Sequence, residues 1–297
     1  MFSLAVFLSL PFLPVLGMFL AMLAPLPLVH LVAGGRSSAL AWGWVAALLV
    51  GAALVTQQVW IVALCVGYLT VTAWPALAVE LWVRRPWSSG RWVTALTGGA
   101  FAISCIFLVA LFYPQQPAER IQAFFTSAMT ESRALLEALS PAGRGGEDVL
   151  SAAIAATAYL VPAAVATYVA GIGLWLRPRL RLLGIARGTE PFHLLRVEEW
   201  LPVGFALGGL GWVFTTGLVK WLAANLLVTV LGLYLLQGVA IIHFYLGRRL
   251  GSNRWVRVAV MLFALQLPVA VLLVLAGLAD AFFPLRRGAG WDGGSGS

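Results

Sequence analysis

The sequence has 297 residues, of which 61% are hydrophobic and only 10% are charged. A water-soluble domain with that ratio would expose a large apolar surface, so the composition excludes a soluble fold and favours a polytopic membrane protein. The formal net charge of +8 would also suit a nucleic-acid-binding protein. No basic stretch is interleaved with aromatic residues at the density that a nucleic-acid groove needs, however, and we therefore expect the cations to face anionic lipid and not nucleic acid.

Long apolar runs divide the chain into membrane segments. A bilayer core about 30 Å thick takes roughly 20 apolar residues to cross as a helix, and runs of that size predict about eight membrane helices. The predicted fold class is all-α, a polytopic helical bundle that forms one integral membrane domain over residues 1–287, with residues 288–297 as a flexible tail or linker. The predicted spans are 3–23, 37–56, 59–82, 92–113, 149–175, 202–218, 222–246 and 256–281.

The first apolar run has no positively charged segment before it, so we expect a retained first helix and not a cleaved signal peptide. The stretch that follows contains Pro25 and Pro27. Proline removes a backbone donor and disturbs the preceding turn, and in lipid the freed carbonyls need partners from protein or water. We therefore predict a broken or re-entrant segment packed inside the protein, with His30 at its end.

Arginine concentrates in alternate gaps between the predicted spans. Because positively charged loops stay in the cytoplasm, these gaps are predicted to be cytoplasmic and both termini to lie outside. Arg286 and Arg287, which follow the last span, disagree with this arrangement. The arginines in the four gaps are Arg36; Arg84, Arg85 and Arg91; Arg177, Arg179, Arg181, Arg187 and Arg196; and Arg248, Arg249, Arg254 and Arg257.

Residues 115–140 form the longest gap on the predicted outer side, and their apolar residues recur at helical spacing with charged residues on the other face. This pattern predicts an amphipathic helix outside the membrane. Such a helix either lies on the membrane surface and caps the bundle or serves as a lid over an outward-facing pocket.

The sixth span is rich in glycine. Gly204, Gly208 and Gly211 predict a face on which another helix packs closely, either within the protein or from a partner. Lys220, the one lysine of the chain, follows between the sixth and seventh spans. It either reaches the membrane surface at the tip of a helical hairpin or faces an anionic ligand within the bundle.

A candidate ligand pocket lies between the proline-broken segment and a polar stripe on the seventh span. Small and polar residues in a membrane helix face other helices or a cavity, because lipid offers them no hydrogen bonds. The stripe therefore either joins helices through hydrogen bonds or forms one wall of the pocket. The candidate ligand-binding residues are Pro25, Pro27, His30, Asn225, Thr229, Gln237, His243 and Gln266.

The sequence carries none of the common signatures of an enzyme or a nucleotide site. Of its 11 carboxylates, Glu80 and Asp280 fall within predicted spans, each near an end. Glu80 precedes Arg84 by four residues and is expected to pair with it at the membrane edge. Cys65 and Cys105 lie in apolar runs and are expected to be small buried hydrophobes. We therefore expect no catalytic residue, no metal site and no cofactor.

Most of the 13 tryptophans lie near predicted span ends. Tryptophan at such positions is typical of the interfacial belt that anchors membrane helices. The residues that fit a belt are Trp60, Trp82, Trp92, Trp175, Trp200, Trp221 and Trp255.

Four short motifs are spaced along the chain: Pro25-Leu26-Pro27-Leu28, Trp200-Leu201-Pro202, Gln237-Gly238 with His243-Phe244-Tyr245-Leu246, and Gly277-Leu278-Ala279-Asp280 followed by Arg286-Arg287. In these motifs the chain resembles the YybS-like predicted membrane proteins of bacteria over most of its length. It is also distantly similar to the substrate-capture subunits of energy-coupling-factor transporters. Those subunits bind vitamins from the outer side and engage ATPase and coupling subunits, so the resemblance implies a vitamin or metabolite ligand and membrane partners.

These observations leave two functional hypotheses. The first is a small-molecule uptake component in the lipid bilayer that has no ATPase of its own, since the sequence has no nucleotide site. The second is a structural or scaffolding subunit of a membrane complex or a homo-oligomer, which the glycine-rich sixth span and the amphipathic helix favour.

Overall fold

The structure is a computed structural model that describes residues 20–33, 59–84, 87–112, 119–123, 155–182, 191–249 and 266–283, with residues 3, 7, 17, 117, 126, 152, 285 and 286. Within these residues the chain is helical and contains no strand, so the all-α prediction is confirmed for them. The elements are α1 (Pro25–Ala33), α2 (Val59–Tyr68), a π-helix (Leu69–Ala73), α3 (Trp74–Arg84), α4 (Ser89–Phe112), α5 (Val161–Leu182), a 3₁₀ helix (Phe192–Leu194), α6 (Leu201–Phe214), α7 (Gly217–Arg249) and α8 (Leu267–Phe282).

Three helical stretches in the described part are long and apolar enough to cross a membrane, namely Ile61–Trp82, Ser89–Phe112 and Gly217–Leu246. Helices α6 and α8 are apolar but have 14 and 16 residues. At 1.5 Å per residue they extend about 21 and 24 Å, less than the roughly 30 Å of a bilayer core. The predicted span 37–56 and most of 3–23 lie outside the described residues, so the total of eight spans stays a prediction.

Two predicted spans are interrupted close to a proline. The span predicted at 149–175 is interrupted by a turn at Leu160, just before Pro162, and α5 then continues to Leu182. In the span predicted at 256–281, α8 begins only at Leu267, because Pro268 occupies its first turn and Gln266 before it is extended. Proline has no N–H with which to continue a preceding helix, and it suits the first turn of a new one.

The predicted amphipathic helix at 115–140 and the tail at 288–297 lie mostly outside the described residues. The described part of the former, 119–123, is helical, with Ile121 buried and Glu119 and Arg120 exposed. This small part has the two-faced character that the sequence predicts, whereas the rest of the helix stays a prediction.

Helices α6 and α7 form an antiparallel hairpin. Gly217, with a φ of 61°, supplies the left-handed residue that begins α7 right after the extended Thr215. Moving back along α6, Gly211 packs on Ala223, Gly208 on Leu227 and Gly204 on Val230. Lys220 is exposed in the first turn of α7, beside this turn, which suits a cation that reaches the membrane surface.

The buried core joins α3, α4, α5 and the middle of α7. Trp82 and Trp92 stack there with ring centroids 5.0 Å apart, and they are 8% and 0% exposed. Trp221 is 1% exposed and donates its indole N–H to the carbonyl of Tyr159. The interfacial-belt prediction is therefore wrong for these three tryptophans, because packing between helices and not lipid occupies their rings. Trp200 is 57% exposed, as a belt residue would be.

Candidate functional site

A buried carboxylate lies near the C-terminal end of α8. Asp280 is 1% exposed, and both of its oxygens accept hydrogen bonds. Its Oδ1 accepts the backbone N–H of Leu285 at 2.9 Å, and its Oδ2 accepts bonds from Gln237 at 2.7 Å and Arg286 at 2.6 Å. A buried carboxylate is stable only when it is paired and hydrogen-bonded, and Asp280 meets both conditions.

Arg286 connects this carboxylate to the extended segment 191–197. Besides its ion pair with Asp280, it donates to the carbonyl of His193 at 2.7 Å and to that of Leu195 at 2.9 Å. Gln237 holds the same segment, since its Oε1 accepts the N–H of Val197 at 3.2 Å. The side chains of Arg286 and Gln237 thus form hydrogen bonds with backbone groups of the 191–197 segment that have no partner in a helix or a strand.

This network lies in the C-terminal half of α7. Gln237 follows Gly217 by 20 residues on α7, which corresponds to about 30 Å, one bilayer core, from the α6–α7 turn. Tyr245, two turns further along α7, donates its hydroxyl to the carbonyl of Leu285 at 2.9 Å. The 191–197 segment, the C-terminal half of α7 and residues 285–286 therefore meet at one end of the bundle.

The predicted arrangement of the chain end is therefore incompatible with the contacts. The arginine count placed the gap that contains 191–196 in the cytoplasm and the end of the chain outside, yet Arg286 touches His193 and Leu195 directly. The two placements cannot both hold, because Arg286 and the 191–197 segment share one end of the bundle. The side of the membrane on which that end lies stays a prediction.

Asn225 and Thr229 lie in a second polar network, toward the other end of α7. The Asn225 side chain accepts the N–H of Ala163 at 3.2 Å and donates to the carbonyls of Tyr159 at 2.9 Å and Trp221 at 3.0 Å. In an uninterrupted helix Ala163 would bond to Tyr159 directly. The Thr229 hydroxyl donates to the Asn225 carbonyl at 2.8 Å. These bonds join α7 to the break before α5, and a role in ligand binding for either residue stays a prediction.

The proline-broken segment is a helix that restarts. A turn at 22–24 precedes α1, and Pro25 and Pro27 occupy the first turn of the new helix, where a missing N–H costs little. The carbonyl of Ala24 accepts the hydroxyl of Ser3 at 2.7 Å, and that hydroxyl lies 3.1 Å from the Tyr68 hydroxyl. The predicted break and its partner from within the protein are thus confirmed.

The structure does not gather the predicted ligand-binding residues into one place. Helix α1 packs chiefly on the π-helix and α3, whereas α7 packs chiefly on α5, α6 and α8. His30 and Gln266 are exposed, and Pro25 is buried at the start of α1. His243, on α7, lies beside the rings of Phe192 and His193, with centroid distances of 5.9 and 6.3 Å.

The glycines of α6 are used within the chain. An added Cβ on Gly208 would lie 2.9 Å from the backbone nitrogen of Leu227, and one on Gly211 would lie 2.8 Å from the Cβ of Ala223. The predicted close packing is therefore confirmed, and its partner is α7. The opposite side of α6 is apolar and exposed, with Val203, Leu207, Leu210, Val213 and Phe214.

Several buried polar groups have no hydrogen-bond partner among the described residues. They are the hydroxyls of Thr72, Thr94 and Tyr234 and the indole N–H of Trp92, none more than 4% exposed. Thr72 belongs to the π-helix, an irregularity that occurs frequently at functional sites. Sequence reasoning missed all four, because threonine, tyrosine and tryptophan in an apolar run give no sign of whether packing will satisfy them.

Among the described residues, no cluster of three or more histidine, cysteine, aspartate or glutamate side chains could hold a metal ion. Glu80 is buried, at 9% exposure, and its pairing with Arg84 stays a prediction. The described carboxylate with the clearest set of partners is therefore Asp280.

The chain matches a known protein family. Residues 1–281 match the family described as "Predicted membrane protein (DUF2232)". The chain belongs to this family. The resemblance to YybS-like proteins is thereby confirmed, because they are the same family. Neither the curated proteins nor the solved structures contain a significant match.

The DUF2232 match bears on the carboxylate network. It includes Gln237, the segment 191–197 and Asp280, and it ends at residue 281, before Arg286. The match therefore covers Asp280 and its hydrogen-bond partner Gln237. Arg286, which neutralises Asp280, follows the matched residues.

Proposed function

We propose that this protein is a small-molecule binding and uptake component of the bacterial cytoplasmic membrane, with no ATPase and no catalytic activity of its own. Its membership of a membrane-protein family and its apolar helices support the membrane location. The ligand class, a vitamin or other metabolite, comes from the resemblance to substrate-capture subunits. Energy for uptake would come from partner subunits or an ion gradient, since the sequence has no nucleotide motif.

The observation that carries this proposal is the set of unpaired polar groups in the interior. A buried polar group without a partner costs about 1–3 kcal/mol, so a purely structural bundle gains nothing from retaining several. A bound solute or water would satisfy them. The proline-broken helix α1 packs on the π-helix that contains Thr72, which supports a ligand site on that side of the bundle as well.

The test is thermal stabilisation of the purified protein across a panel of vitamins and metabolites. A ligand present at 100 times its Kd stabilises the folded state by about 2.7 kcal/mol, which is a measurable rise in Tm. We expect at least one compound to raise Tm in a saturable manner. An absence of any shift, together with an experimental structure that lacks an internal cavity, would overturn the proposal.

The alternative function is a scaffolding subunit of a membrane complex or a homo-oligomer. One feature that favoured it, the glycine face of α6, is occupied by α7 of the same chain. The predicted amphipathic helix is the other feature and lies mostly outside the described residues. Copurification of a stoichiometric partner from native membranes in mild detergent would favour this alternative over the uptake role.

A further inference from the structure

Helices α4 and α7 meet at the 191–197 segment. Gly90, at the start of α4, lies so close to this segment that an added Cβ would overlap the carbonyl of Arg196 and lie 3.3 Å from the Cα of Val197. On α7, Gln237 bonds to the N–H of the same Val197. Val197 therefore marks one point in space that both helices touch, and α4 and α7 also pack directly on each other.

Thr94 and Tyr234 lie one helical turn deeper on these two helices. Thr94 follows Gly90 by four residues, and Tyr234 precedes Gln237 by three. Residues at these spacings share a helix face, so each lies one turn further into the bundle than the residue of its helix that contacts Val197. Thr94 is 4% exposed and Tyr234 is 0% exposed.

Neither hydroxyl has a hydrogen-bond partner among the described residues. The usual solution in an apolar helix is a bond to the carbonyl four residues earlier. Thr97, Thr167 and Thr229 all use it, at 2.7, 2.8 and 2.8 Å. Thr94 does not, although it is buried like Thr97 and Thr229, so its hydroxyl is left available to another molecule.

We infer that Thr94 and Tyr234 form a subsite for a small neutral solute that bears hydroxyl or amide groups, closed on its arginine-rich side by Leu195–Val197. This inference rests on the proposed function and names a substrate class for it. Each hydroxyl can donate one hydrogen bond and accept two, which matches polyols and amides.

The charged groups that contact the 191–197 segment or the start of α4 argue for a neutral ligand. Asp280 and Arg286 hold each other in an ion pair at 2.6 Å, and Asp280 also accepts bonds from Gln237 and from the backbone of Leu285. Arg177, near the start of α4 in space, donates to the hydroxyl of Ser89. A charged ligand in this interior would need a counter-charge to offset its desolvation, and these groups are already engaged.

The closing segment is held by side chains that could release it. Leu195 is 0% exposed, and it stays in place through the bonds of Arg286 to the carbonyls of His193 and Leu195 and the bond of Gln237 to Val197. No strand or long helix fixes this segment, whose only regular element is the 3₁₀ helix Phe192–Leu194. It therefore separates the subsite from the arginine-rich side through a small number of polar contacts.

The experiment measures Tm of the full-length protein in detergent with neutral and anionic probes of matched shape. The probes are nicotinamide with nicotinate, pantothenol with pantothenate, and ribitol. The variants Thr94→Val and Tyr234→Phe each remove one hydroxyl at nearly constant volume. The control, Thr97→Val, removes a buried hydroxyl on the same helix that already bonds to the carbonyl of Val93.

We expect a neutral probe to raise Tm of the wild type and of Thr97→Val, and its anionic match to have no effect. Thr94→Val and Tyr234→Phe should each weaken binding of that probe about tenfold, the value of one hydrogen bond. Without probe, both variants should keep or raise Tm, because each removes an unpaired buried group. A clear loss of Tm in either probe-free variant would mean that its hydroxyl has a protein partner, and would overturn the inference.

Two further outcomes separate this inference from the proposed function. If other metabolites raise Tm but the neutral probes do not, or if the shift survives in the double variant Thr94→Val/Tyr234→Phe, the subsite is overturned and the uptake role stands. If no compound of any kind raises Tm, both the subsite and the proposed function are overturned.

Discussion

At the scale of single residues, side chains in this protein replace backbone hydrogen bonds that proline removes. Pro162 has no N–H, and the helix that contains it breaks at Leu160. The Asn225 carboxamide fits between Tyr159 and Ala163, donating to the carbonyl of the former and accepting from the N–H of the latter. Since an unsatisfied backbone group in an apolar interior costs several kcal/mol, this one side chain makes a proline-containing helix compatible with lipid.

The buried ion pair of Asp280 and Arg286 leads to a prediction about the stability of single-residue variants. Their side chains are 1% and 9% exposed, and removal of one partner leaves the other charge buried and uncompensated. We expect Asp280→Asn and Arg286→Gln each to destabilise the protein by about 3–5 kcal/mol. The double variant should lose clearly less than the sum of the two, as measured by denaturant unfolding in detergent.

The exposed Arg91→Gln serves as the control for this cycle and is expected to change stability little. If the stability losses of Asp280→Asn and Arg286→Gln simply add in the double variant, the two charges do not interact. That result would contradict the proposed link from Asp280 of α8 through Arg286 to the 191–197 segment.

At the scale of elements, glycine decides how closely helices pack. The face of α6 with Gly204, Gly208 and Gly211 lies on α7, and the same device recurs where Gly277 of α8 meets the backbone of Tyr234. Such contacts replace the hydrophobic effect, which does not draw helices together in a solvent that is itself apolar. Short helices such as α6 and α8 therefore depend on α7 for their position.

Adjacent glycines of α6 provide a matched test of this packing. Gly208→Ala would place a methyl group 2.9–3.1 Å from backbone and Cβ atoms of Leu227, so we expect a loss of about 1–3 kcal/mol from overpacking. Gly209→Ala has nothing within 4 Å and should be neutral or stabilising by up to about 1 kcal/mol, because alanine favours a helix over glycine. Equal Tm values for the two variants would contradict the packing described for α6 and α7.

At the scale of the whole molecule, one set of polar contacts gathers at one end of the bundle, away from the Asn225 network. The start of α4, the end of α5, the segment 191–197, the C-terminal half of α7 and residues 285–286 all meet there. Arg286, which contradicted the positive-inside pattern when the sequence was considered alone, thus joins the arginines of the 191–196 gap. The rule then favours a cytoplasmic location for this entire end, including the chain after α8.

Labelling of introduced cysteines tests this orientation. In a background with Cys65→Ala and Cys105→Ala, we expect Ser88→Cys and Leu285→Cys to resist a membrane-impermeant maleimide in intact cells and to react after permeabilisation. Thr216→Cys, at the α6–α7 turn, should react in intact cells, because all three positions are exposed and only the side differs. Reaction of Leu285→Cys together with Thr216→Cys, but not Ser88→Cys, would restore opposite sides for the chain end and the 191–197 segment.

Much of the fold was predictable because the insertion of a helix into a membrane depends on the hydropathy of one short stretch of sequence. Apolar run length gave the spans that became α4, α6 and α7 to within a few residues, and the two prolines after the first run predicted the restart at Pro25. The stop at Leu160 and the late start of α8 at Leu267 were not predicted, although Pro162 and Pro268 are their local causes. When a run is apolar on both sides of a proline, its hydropathy predicts one continuous span and does not reveal the interruption.

The candidate site was far less predictable. Asp280 and Gln237 were visible as polar residues in apolar spans, but nothing local pairs residue 237 with residues 197 and 280, since these contacts join distant parts of the chain. Thr94 gives the same local pattern as Thr97, and only the positions of their neighbours leave one hydroxyl unpaired and the other bonded. Residue types alone indicate a membrane protein, because the preference of a side chain for lipid or water is a property of that side chain. Which polar groups pair and which stay unpaired depends on how the helices pack, because a hydrogen bond requires two groups from distant parts of the chain to lie at one place.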